Sequence, residues 1–167
     1  MERDSAAILR YFQEHHEPLF RFAWRLTGSV ADAEDIVQEC FLALLRPGCA
    51  FDPNRTSLRT YLFGAVHNQA LKRFHHSEIT AQTPDPPTPE RECYVAEMRQ
   101  VVLRAILQLP GGQREVLVLA HYEQMQLAEI AEILQIELGA VKSRLQRARA
   151  GLKEMLAAYA PNPERNS

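Results

Sequence analysis

The chain has 167 residues, a formal net charge of −2 and 46% hydrophobic residues. That length suits one domain or two small ones, and the apolar share supports a packed core. Overall basicity of the kind that coats nucleic acid is excluded. No apolar run approaches the ~18 residues of a membrane-spanning helix, and the N-terminus shows no signal peptide. Cys40, Cys49 and Cys93 are an odd count at wide spacing, which favours a reducing compartment, with the cytoplasm as the expected location.

In chain order, Leu19, Phe22, Ala23 and Leu26 recur at helical spacing around Pro18–Thr27, with Gly28 as a stop. Ser29 and Asp32 form a capping-box variant that opens a second helix. Its apolar stripe is Ala33, Ile36, Val37, Cys40, Phe41, Leu44 and Leu45, with Asp35, Gln38, Glu39 and Leu42 off the stripe. Arg46-Pro-Gly ends it, residues 50–57 form a loop, and a third helix runs from about Leu58 to His75. Between Ser77 and Met98 five acids face one base, so this stretch contributes −4 and the rest of the chain +2. Pro84, Pro86, Pro87 and Pro89 remove amide donors there, so residues 77–91 read as a linker.

Beyond the linker, Val95, Met98, Val101, Val102, Ala105, Ile106 and Leu109 mark a helix ended by Pro110-Gly-Gly. Shorter helices are expected over Gln113–Tyr122, Leu127–Leu134 and Leu138–Ala158. No segment sustains period-two alternation, so no sheet is expected. Residues 126–145 have the form of a helix-turn-helix, with Leu127, Ile130, Ala131 and Leu134 inward and a turn at Gln135–Glu137. Val141, Leu145, Ala148, Leu152 and Leu156 form the buried stripe of the last helix. From Lys142 to Lys153 that helix carries five bases and no acid. Such a helix can bury one side and lay the other in a major groove, where cations reach phosphates or guanine edges. An ordinary solvated basic face is the competing reading.

These residues resemble those of the extracytoplasmic-function (ECF) sigma factors, the smallest sigma-70 family subunits of bacterial RNA polymerase. The resemblance covers about residues 9–157. Phe20-Arg-Phe-Ala-Trp-Arg-Leu-Thr-Gly28 and Asp32-Ala-Glu-Asp-Ile-Val-Gln-Glu-Cys-Phe41 are similar to region 2. So are Phe51–Ser57, Leu58–Phe63 and His67-Asn68. Leu109-Pro110, Gln113–Leu117, Glu129–Leu134 and Gly139–Arg149 are similar to region 4. The resemblance implies an all-α protein of two small helical domains joined by a Pro-rich acidic linker, the C-terminal one a helix-turn-helix. The implied boundaries are 1–76, 77–91, 92–160 and a tail at 161–167.

It also implies partners and sites. Asp32, Asp35, Gln38 and Glu39 would dock on the β′ clamp helices of core RNA polymerase, with the β flap as a further contact. Asn54, Arg55, Thr56, Ser57, Arg59, Asn68, Lys72 and Arg73 would capture the melted −10 strand of promoter DNA. Lys142, Ser143, Arg144, Gln146, Arg147, Arg149 and Lys153 would hold the −35 duplex. Tyr61, Phe63 and Phe74, interleaved with cations, suit an unstacked single strand, with core packing the alternative. An anti-sigma factor is a candidate partner, since family members are commonly held inactive by one.

The chain departs from the family pattern in places. Gln126 and Glu137 stand at cap positions usually held by Ser, and Glu137 is a poor N-cap. Leu138 and Ala140 replace positions that are usually polar. Leu45, Leu58 and Tyr61 stand for the usual Trp, Phe and Trp.

Six histidines and three cysteines show no Cys-x-x-Cys or His-x-x-x-His spacing, so no metal or other cofactor is expected. Cys40 is expected in the core. No nucleophile–base order or phosphate loop stands out, so neither an enzyme nor a small-molecule substrate is expected. Direct membrane insertion is not expected either. The competing function is a free-standing helix-turn-helix regulator that binds duplex DNA without polymerase; a protein-only adaptor is a third class.

Overall fold

The computed structural model describes residues 5–74 and 93–159. The described residues form seven α-helices: α1 (Ser5–Thr27), α2 (Val30–Leu45), α3 (Leu58–Phe74), α4 (Cys93–Gln108), α5 (Gly111–His121), α6 (Leu127–Leu134) and α7 (Leu138–Leu156). A 3₁₀ turn follows at Ala157–Tyr159, and no strand occurs among the described residues. The all-α expectation holds. The linker at 77–91, His75, His76 and the tail at 161–167 lie outside the described residues.

The first three helices pack through the stripes that periodicity marks, except that Leu45, expected inward on α2, is the helix's last residue and lies 48% exposed beyond the packed turns. Leu19, Phe22, Ala23 and Leu26 of α1 meet Ile36, Val37 and Cys40 of α2 and Leu62, Phe63 and Val66 of α3, all buried. Phe63 therefore belongs to the core, its ring centroid 5.2 Å from that of Phe22. Cys40 is also core; burial, with Glu39 adding, pushes its thiol up to about 12, so it stays protonated. Helix α1 is longer than expected. It runs through Pro18 to start at Ser5. One missing backbone donor does not stop a helix whose earlier turn is anchored elsewhere. Phe12 supplies that anchor, 5.0 Å edge-on from Phe41.

Two short connections fix the path. Gly28 ends α1 at φ +71°, a conformation costly for any residue with a Cβ. Ser29 then caps α2, its side chain accepting from the Asp32 amide at 3.2 Å. In the loop before α3, the Asn54 amide donates to Asp52 Oδ1 at 2.9 Å, and Ser57 caps α3 by accepting from the Thr60 amide at 3.1 Å.

The helix-turn-helix forms where expected. Helix α6 spans Leu127–Leu134, closed at its start by Glu129, which accepts from the Gln126 amide at 2.9 Å. Gln135 turns the chain at φ +54°. Glu137 at the start of α7 makes no side-chain cap bond, as its length predicts. Val141, Leu145 and Ala148 are buried, and Leu152 and Leu156 half-buried. Ile133, outside the expected inward set, is 4% exposed, while Leu127 and Ala131 are only half-buried.

Helix α5 is unlike the others. Six consecutive residues, Arg114–Leu119, are buried. A helix covered on every side lies in the middle of a structure rather than on its surface. The apolar core is accordingly one cluster that contains residues of all seven described helices, α4 through Ile106.

Candidate polymerase and nucleic-acid surfaces

Three groups of residues carry the expected contacts, and the fold treats each differently. On α7, Lys142, Ser143, Gln146, Arg147, Arg149 and Lys153 are exposed on the solvent side of the second helix of the helix-turn-helix, Lys142, Gln146, Arg149 and Lys153 along one flank and Arg147 further round. Arg144 is not in that set. It is half-buried, with its guanidinium lying over Gly112; a Cβ there would sit 3.0 Å from Arg144 Nη1. Arg149 is partly engaged, its Nε donating to His121 Nε2 at 3.2 Å.

On α2, Asp35, Gln38 and Glu39 are exposed and Asp32 half-buried, one polar face as expected. These carboxylates do not stand alone. Arg73 of α3 reaches Asp32 Oδ1 at 3.2 Å, Asp35 Oδ2 at 3.6 Å and Glu39 Oε1 at 3.3 Å. The fold therefore joins a residue expected on the −10 strand to those expected on β′.

The third group is split. Asn54, Arg55, Ser57, Asn68 and Lys72 are exposed. Thr56 has its Oγ1 buried with no partner among the described residues. Asp52, Arg55 and Thr56 line a cavity of about 260 Å³ together with Ala50 and, from α6, Glu132. Arg59 turns away from solvent: its Nη2 donates to the Glu123 carbonyl at 2.8 Å, and its guanidinium lies 5.6 Å from the Phe63 ring centroid.

Arg59 is one of a set of polar links between the first three helices and the last four. His67 Nε2 of α3 faces Glu115 Oε1 of α5 at 3.2 Å, with both side chains about nine-tenths buried. Arg114 Nη1 donates to the Leu26 carbonyl of α1 at 2.9 Å. Arg25 of α1 stacks on Tyr122, 3.8 Å from the ring centroid. Burial lowers the pKa of both arginines, yet both remain cations, since guanidinium does not deprotonate in proteins. Sequence reading missed Arg25, Arg114, Glu115, Tyr122 and Glu123. Periodicity assigns a charged side chain to the surface, and no local signal marks one that is buried against a distant helix.

Glu123 yields a test of this seam. Its carboxyl is buried, and Oε1 has no partner among the described residues. Burial raises its pKa, against the lowering pull of Arg21, Arg25 and Arg59. A carboxyl whose pKa is higher in the folded than in the unfolded state favours folding while protonated. That contribution is full below the ordinary value of 4.5 and is lost as pH rises through the folded-state value. Glu123→Gln should therefore raise Tm near neutral pH, and the gain should shrink as the solution is acidified. Melting curves across that range check it; an unchanged gain at low pH would refute the assignment.

Among the described residues no cluster of three or more His, Cys, Asp or Glu could hold a metal ion. No helix among them is long and apolar enough to cross a membrane.

Comparison with known proteins bears on these surfaces. Residues 11–77 match the family model described as Sigma-70 region 2, and residues 99–152 match Sigma-70, region 4. The ECF RNA polymerase sigma factor SigL of Mycobacterium tuberculosis is 36% identical over 89% of this chain and 88% of its own. Among solved structures, CnrH in complex with the cytosolic domain of CnrY superposes with a TM-score of 0.73 at 25% identity, over 93% of this chain and 91% of that one. The sigma factor RpoE of Bartonella quintana, solved with the anti-sigma factor NepR, gives 0.69 at 23% identity, over 89% and 97%.

Proposed function

The chain belongs to the ECF sigma factors, subunits that direct core RNA polymerase to promoters, and we propose a division of labour among its surfaces. Helices α1–α3 form the unit that docks on β′ and captures the −10 strand. Helices α4–α7 form the unit that holds the −35 duplex, with the intervening residues, including 77–91, as linker. The observation that carries this reading is the exposed basic flank of α7, set on the second helix of a helix-turn-helix. Lys142, Arg147 and Lys153 reach outward there, and an acidic α2 face is supplied separately for a protein partner. The subunit itself performs no catalysis; phosphodiester chemistry belongs to the polymerase. Its location is the cytoplasm, with that enzyme. By the precedent of RpoE with NepR, an anti-sigma factor is a partner.

The seam between the two units sets a condition on this function. Promoter elements at −10 and −35 lie about 25 base pairs apart, roughly 85 Å at about 3.4 Å per pair. A chain of this length packed as one body has a radius of gyration of only about 15 Å. With the seam closed, one molecule does not reach both elements, and α5 and α6 stay against the α3 face that carries Arg59 and His67. Engagement of the promoter therefore requires the seam to part. The 18 residues between Phe74 and Cys93 span at most about 60 Å, enough to allow it.

Run-off transcription with purified core polymerase on genomic promoter fragments tests the function. Specific initiation is expected, and none from any fragment would overturn it. A gel shift without polymerase separates it from a free-standing regulator, which would bind duplex DNA alone. The α7 surface has its own test. Lys142→Ala and Arg147→Ala should each reduce the salt slope of promoter binding by the holoenzyme by about 0.9 and weaken affinity. Arg144→Ala should leave the slope unchanged, because that guanidinium is directed at Gly112.

A further inference from the structure

We propose that Arg73 is a positioning residue for polymerase docking and makes no contact with the −10 strand. This rests on the reading of the α2 face given above. Asp32, Asp35 and Glu39 occupy one flank of α2 at successive turns, where neighbours lie only about 5–6 Å apart at Cβ. Three carboxylates so placed repel one another and splay. Arg73 gathers them, with Nη1 toward Asp32 and Asp35 and Nη2 toward Glu39, all within 3.6 Å.

A planar fork can serve three acceptors in a fixed arrangement, which a lysine ammonium cannot do as well. Each carboxylate is engaged through one oxygen, so its second oxygen remains for a cation on the partner. An isolated surface ion pair contributes little, but a network around one arginine fixes geometry. Arg73 also lies in the last turn of α3, where the helix dipole favours a cation.

The same cluster argues against a nucleic-acid role. One guanidinium among three carboxylates leaves a local charge of −2, and a phosphate approaching Arg73 meets that repulsive field. Lys72, exposed on the same turn, makes no ion pair among the described residues and stays available for the strand.

The test separates the two partners. Labelled full-length protein is titrated with core polymerase. Holoenzyme assembled at saturating core is then titrated with a single-stranded −10 oligonucleotide at several salt concentrations. Arg73→Ala should weaken core binding about three- to tenfold while leaving the salt slope for the oligonucleotide unchanged. Arg73→Lys should recover part of the core affinity. In a chain already carrying Asp32→Asn, Asp35→Asn and Glu39→Gln, Arg73→Ala should have no further effect, because the residue acts through those carboxylates.

Unchanged core affinity in Arg73→Ala, or a strand slope reduced by about 0.7 per lost phosphate contact, would overturn the assignment. If the triple carboxylate variant binds core normally, the docking face itself is wrong and the inference falls with it. If the triple variant binds poorly and Arg73→Ala binds normally, the inference alone fails. Arg73→Gln, with melting curves for each variant, guards against simple loss of fold.

Discussion

Arg114→Ala should lower the free energy of unfolding by about 3–5 kcal/mol. The guanidinium sits among four backbone carbonyls. Nε donates to Ile106 at 3.2 Å, Nη1 to Leu26 at 2.9 Å, and Nη2 to Leu109 at 3.1 Å and to Leu107. These carbonyls lie at or just past the C-terminal ends of α1 and α4, where a helix leaves acceptors without amide partners; of the four, Ile106 also accepts from the Leu109 amide at 3.1 Å. One cation thus satisfies two helix ends and complements both dipoles. Alanine would leave several of those acceptors buried and unpaired, at about 1–3 kcal/mol each and not additively. A typical domain has only about 5–15 kcal/mol in total. Arg114→Lys keeps the charge but loses the fork, so an intermediate loss is expected. Urea denaturation measures both; a loss below about 1 kcal/mol for alanine would show that the carbonyls find other donors.

His67→Ala should cost about 3 kcal/mol, because it leaves the buried side chain of Glu115 without its hydrogen-bond partner. The pair is about nine-tenths buried on both sides and joins α3 to α5 across the seam. The loss should therefore appear as parting of the two units as well as a lower Tm. Hydrogen exchange should rise across α3 and α5 before it rises in the α1–α2 core. The double variant His67→Leu with Glu115→Leu should recover most of the stability, since two apolar residues leave no buried polar group unpaired. If the double variant is as unstable as the single, the unpaired Glu115 side chain is not the reason for the loss.

Much of the fold was legible because helix periodicity reports directly on burial. The inward residues of α2 and α7 follow the 3.6-residue repeat, and α6 begins and ends where its stripe and turn residues say. The N-terminal half of α1 was less legible: Pro18 reads as a beginning, and only the Phe12–Phe41 contact shows why the helix starts earlier. The α7 flank was legible as a set, but Arg144 was not separable from Arg147. Both are arginines on a basic helix, and only the neighbour α5, with Gly112 opposite Arg144, distinguishes them.

The near-neutral charge had the same character, a sum of unlike parts that the segments resolve: an acidic stretch at 77–98 and an unopposed basic run at 142–153. By itself the sequence determined the all-helical class, the helix-turn-helix, the basic flank and the family likeness. Each of these depends on residues close together in the chain, whose spacing sets which side of a helix they share. Only the tertiary structure decided that Arg59, His67, Arg114 and Glu123 lie in a closed seam, and that Arg73 faces three carboxylates of α2. A charged side chain looks the same in sequence whether water or a distant helix surrounds it. Its partners across the seam are separated from it by dozens of residues, so its role is settled only when the helices pack.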